Sequence, residues 1–88
     1  MNKIRIELSP SWVLECNDGD LLPGDAIAHY IKDKDLGTVE EKSFTEVVFV
    51  SGKISPENIK AFKIQLIAFL TCLFLDSEDK LLQNIEIY

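Results

Sequence analysis

Little in this chain invites catalysis. It has two cysteines, four glycines and one histidine, and none of them falls into a pattern that holds a metal, a nucleotide or a phosphate. Cys16 and Cys72 lie far apart, outside any CxxC or Cys/His spacing, and two cysteines are too few for a disulfide framework. Both are read as buried thiols. Cys72 belongs to Leu70-Thr71-Cys72-Leu73-Phe74, an apolar setting that keeps a thiol unreactive. Gly19, Gly24, Gly37 and Gly52 are dispersed, which removes the glycine-rich phosphate cradle of nucleotide sites. Positive charge is also scarce, with nine Lys and Arg against fifteen Asp and Glu and a formal net charge of −6. The resulting field repels phosphate backbones and anionic headgroups, and the scattered basic residues form no patch. Direct nucleic-acid binding is therefore not expected. The longest apolar stretch, Ala61 to Leu75, is broken by Lys63 and Gln65 and is shorter than the roughly 20 residues a bilayer requires. A membrane span is not expected either. Met1-Asn2-Lys3 leads straight into alternating residues without an apolar signal segment. The expected compartment is reducing, the cytoplasm.

What is present suits a single α+β domain over residues 1–88, with 47% hydrophobic and 27% charged residues. Such a short chain buries only about 60 to 65% of its unfolded surface, so its core is thin. Lys3 to Leu8 alternates strictly and predicts a half-buried strand with Ile4, Ile6 and Leu8 inward. After Ser9-Pro10-Ser11, the run Trp12 to Cys16 predicts a second strand, turned by Asn17-Asp18-Gly19-Asp20. Asp25 is the expected cap of a short helix carrying Ile27, Tyr30 and Ile31, with Gly37 as its stop. Asp33 to Lys42 is mostly charged and reads as an exposed connection, and Phe44 to Val50 as a buried strand. Ser55-Pro56-Glu57 signals the start of a long helix to about Leu75. Asp76 to Gln83 is expected to add a short turn, and Asn84 to Tyr88 alternates like the opening strand. The predicted order is ββαβαβ, a small, mainly antiparallel sheet packed on one long helix.

The first candidate site is the acidic stretch around the turn, where Glu15, Asp18, Asp20 and Asp25 carry no intervening cation and His29 follows Asp25 by four residues. Oxygen ligands of this kind suit hard cations, yet the spacing matches no calcium loop. Asp and Gly at a turn, and Asp at a helix start, have ordinary structural reasons. No metal, cofactor or catalytic residue is assigned. A metal-assisted enzyme built on this turn stands only as an alternative.

The second candidate is the long helix. Ile59, Phe62, Leu66, Phe69 and Leu73 form a core seam at helical spacing. A second seam, Ala61, Ile64, Ala68, Thr71 and Leu75, begins about 200° around the axis, where a surface helix should be polar. That pattern predicts contact with another protein, and first with a second copy. Trp12, after a proline-containing bend, is the other interface candidate beside its ordinary reading as a core aromatic. The expected function is a small acidic protein-binding module, an adaptor, inhibitor or regulatory subunit, paired as a homodimer. An acidic inhibitor that mimics a polynucleotide toward a basic nuclease or DNA-binding protein is the other binding reading.

Overall fold

Alternation decides the first element. The computed structural model describes residues 2–16, 22–74 and 82–87. Within them Asn2–Leu8 forms β1, with Ile4, Ile6 and Leu8 buried and Lys3, Arg5 and Glu7 on the opposite side. The remaining elements are α1 (Pro10–Cys16), α2 (Pro23–Asp33), β2 (Thr38–Lys42), β3 (Glu46–Ser51), α3 (Ile59–Phe74) and β4 (Leu82–Ile87). The strands make one antiparallel sheet in the order β2-β3-β1-β4. The α+β class and antiparallel sheet agree with the sequence reading. The order βααββαβ replaces ββαβαβ.

Three differences have local causes. Trp12 to Cys16 is helical, because Ser9-Pro10 opens a helix: the Ser9 carbonyl accepts the Val13 N–H at 3.0 Å, and proline tolerates the first helical position. β1 therefore pairs with β3 and β4, and the expected hairpin does not form. Thr38–Lys42, expected as a connection, is an edge strand with a register shift between Val39 and Glu41. A bulge with solvated charges hides the two-residue period and also discourages edge pairing with other chains. Ser55-Pro56-Glu57 forms a turn ahead of α3 and lies outside the helix. The Asn58 carbonyl accepts the Phe62 N–H at 3.1 Å, while Asn58 Oδ1 accepts the Ser55 N–H at 2.6 Å. The helix thus starts at Ile59.

Smaller corrections concern α2. Leu22, not Asp25, occupies the cap position without a side-chain bond, and Pro23 begins the helix. Asp25 sits in the first turn and pairs with Lys42, a carboxylate placement that suits the positive helix end. The stop is Asp35 at φ 53°, followed by bonds from Asp35 N–H to the Lys32 carbonyl and Leu36 N–H to the Ile31 carbonyl. This is the Schellman arrangement. Gly37 instead permits close approach to β3, since a Cβ there would lie 2.1 Å from the Val50 carbonyl oxygen. The Asn17 to Asp20 turn and the Asp76 to Asp79 part of the expected later turn lie outside the described residues. Gln83, given to that turn, belongs to β4.

One hydrophobic cluster joins Ile4, Ile6 and Leu8 with Val47 and Phe49 of β3, Val13 of α1, Ile27 and Ile31 of α2, and Phe62, Leu66 and Leu70 of α3. All three described helices consequently cover one face of the sheet, and none of them covers the Arg5 face, where Val48 is nevertheless buried. Ser51 is the buried polar exception. Its hydroxyl donates to the Leu36 carbonyl at 2.6 Å and accepts the Lys53 and Ile54 N–H groups, each at 3.0 Å, so its burial is compensated.

Candidate interaction surface

α3 turns Ile59, Phe62, Leu66 and Leu70 toward the sheet, and Phe69 reaches Tyr30 with ring centroids 4.6 Å apart. Leu73, expected on this seam, is 43% exposed. Steps of three, four and four follow the 3.6-residue turn more closely than the expected seam, so Leu70 takes the inner position. On the other side Ala61 and Ala68 are exposed, Ile64 is 68% exposed and Thr71 is half-buried. Leu75 lies outside the described residues. The outward seam is thus an open apolar strip among the described residues.

Sequence reasoning missed one member of this strip. Cys72, expected as a buried thiol, is exposed. It follows Ile64 and Ala68 by eight and four residues, which places the three on one helical face. The same period that revealed the seam contained this signal. Apolar neighbours in the chain imply burial only where something covers the helix. The side chain of Cys16 lies outside the described residues.

Trp12 stands on α1 rather than on a strand, half-buried and packed against the core cluster. Its neighbour Leu14 is 62% exposed. Phe44, expected inside a buried strand, precedes β3 in a bend and is 41% exposed. These side chains are separate in sequence from the α3 strip, which carries several exposed apolar residues on one helix.

The open sheet face is charged. Arg5 lies between three carboxylates, at 3.0 Å from Glu46, 3.5 Å from Glu7 and 4.0 Å from Glu86, while Lys3 pairs with Glu40 at 3.4 Å. Attraction to Glu46 first, then Glu7 and Glu86, raises the Arg5 pKa above its ordinary value. Glu41 stands opposite Val48, which stands opposite Arg5, so it shares this face. Carboxylates therefore outnumber the cations there.

Among the described residues, no group of three or more His, Cys, Asp or Glu side chains is placed to hold a metal ion. Asp25 pairs with Lys42, and His29 is exposed on α2. Asp18 and Asp20 of the acidic turn, and the side chain of Glu15, lie outside the described residues. A groove of about 360 Å3 runs between α2 and β2, lined by Ala28, Lys32, Gly37, Thr38, Val39 and Lys42. It presents no paired acid and base. No described helix is long and apolar enough to cross a membrane. No family model, curated protein or solved structure matches the chain.

Proposed function

We propose that this chain is a small acidic protein-binding module, an adaptor, inhibitor or regulatory subunit, that self-associates through the outward face of α3. The observation that carries this reading is the exposure of Ala61, Ile64, Ala68 and Cys72 on a helix whose other face is already buried. Full burial of an isoleucine side chain contributes about 1.5–3 kcal/mol, and a few such anchors dominate most interfaces. Twofold pairing covers the strip of each copy with that of the other. The proposed compartment is the reducing cytoplasm, consistent with sparse cysteine and with the exposed Cys72 thiol.

Ala68→Glu tests the reading. It sets an unpaired charge in the contact without touching Phe62, Leu66 or Leu70, and should weaken pairing by on the order of 100-fold or more. Light scattering at tens of micromolar should show a dimer for the native chain and a monomer for the variant, with unchanged circular dichroism. A native monomer, or a dimer indifferent to the variant, contradicts the assignment.

The carboxylate-rich sheet face supports the second reading, an acidic mimic that occupies a basic nuclease or DNA-binding cleft. Charge then supplies both encounter and attraction, so binding must weaken steeply with salt. Joint Glu40→Gln and Glu41→Gln substitution should weaken it as well. A basic partner indifferent to both changes removes this reading.

A further inference from the structure

We propose that the groove between α2 and β2 binds a small apolar monocarboxylate, a molecule with a hydrocarbon body and a single negative charge. The groove has a volume of about 360 Å3, at the lower end of the roughly 300–1,000 Å3 that small-molecule sites occupy. Two residues without bulk leave it unfilled. Ala28 on α2 and Gly37 ahead of β2 both line it and extend no long side chain into it. A larger residue at position 37 is barred, since its Cβ would lie 2.1 Å from the Val50 carbonyl oxygen. Val39 supplies the wall on the strand side and packs against the core cluster as well.

The bulge in β2 sets the polar chemistry of this groove. Val39 stands opposite Phe49 and Lys42 opposite Val47, and Phe49 and Val47 both belong to the core on the helix-covered face. On a regular strand, residues three apart point to opposite faces. The register shift between Val39 and Glu41 brings Val39 and Lys42 to the same, α2-covered side, and so adds a cation to an apolar wall. Lys42 is neutralised there by Asp25 of α2. Lys32, four residues after Ala28 on α2, also lines the groove and makes no ion pair among the described residues. The following carboxylate Asp35 is engaged by Lys53. One uncompensated cation complements one negative charge, and a second negative charge would meet only the neutralised Lys42 in a chain of net charge −6. That balance selects a monoanion over a phosphate or a dicarboxylate. The bulge and the charges of β2 also discourage an added strand, which selects a small molecule over an extended peptide.

Amide-resolved NMR titration of the full chain with octanoate tests the site. Octanoate should shift the amides of Ala28, Lys32, Gly37 and Val39 and saturate at about millimolar concentration, the strength expected of so small a ligand. Lys32→Gln should weaken this binding about fivefold, the worth of an exposed ion pair. Ala28→Leu fills the space between α2 and Val39 and should abolish saturation with unchanged circular dichroism. If Ala28→Leu disturbs the fold, Lys32→Gln decides, because Lys32 is exposed and its replacement leaves the core untouched. Inorganic phosphate, which carries charge without a hydrocarbon body, should give no saturable shifts at these residues. The proposal is overturned by octanoate shifts that do not saturate, by shifts confined to Ile64 and Ala68 of α3, by equal affinity in Lys32→Gln, or by phosphate binding as strong as that of octanoate.

Discussion

α2 and α3 lie on the same face of one sheet, yet of the two only α3 leaves large apolar side chains, Ile64 and Leu73, exposed among the described residues. α2 buries Ala26, Ile27 and Ile31 and turns His29, Lys32 and Asp33 to solvent. α3 buries Phe62, Leu66 and Leu70, then exposes Ile64, Ala68 and Cys72 on the opposite side. The first is an ordinary amphipathic surface helix. The second carries apolar residues where its fold gives them nothing to pack against among the described residues. Burial of one face accounts for folding; the proposed association would account for the residues on the other.

The contrast can be broken most severely from inside. Leu66→Ala empties a position with no exposed area and should reduce stability by about 2–5 kcal/mol in urea unfolding. A loss below 1 kcal/mol would mean that the inner face of α3 is not core. Gly37→Ala forces a Cβ against the Val50 carbonyl and should cost about 1–3 kcal/mol through displacement of β2 from β3. Thermal unfolding measures it, and an unchanged midpoint would discount the close approach.

Subtler substitutions sharpen the same comparison. Ser51→Ala leaves the Lys53 and Ile54 N–H groups without the hydroxyl they share and should cost about 1–3 kcal/mol. Ile64→Ala should weaken pairing, while in an Ala68→Glu background its effect on unfolding should stay within about 0.5 kcal/mol. His29→Ala on the solvent side of α2 should leave the solution mass unchanged and alter stability by no more than about 0.5 kcal/mol. If His29→Ala disperses the protein as well, α2 and α3 are not different in the way argued.

Much of the sheet was legible because side-chain period reports burial directly. Ile4, Ile6 and Leu8 announce β1, and Val47 to Val50 announces β3. β2 was not, since its bulge and solvated glutamates erase the alternation. The Ser-Pro pairs show how one signal serves two structures. Ser9-Pro10 opens α1, whereas Ser55-Pro56 opens a turn that delays α3 to Ile59. Proline fixes one backbone angle and suits both, so the following contacts decide. At the candidate site, helical period exposed the strip at Ala61, Ile64 and Ala68 but misjudged Cys72, whose neighbours are apolar along the chain and whose actual surroundings are solvent.

The most direct measurement is sedimentation equilibrium of the native chain across a concentration series from low to tens of micromolar. Self-association through α3 requires the mass to rise with concentration toward twice the 10.0 kDa of one chain. A mass fixed at one chain throughout the series contradicts the account.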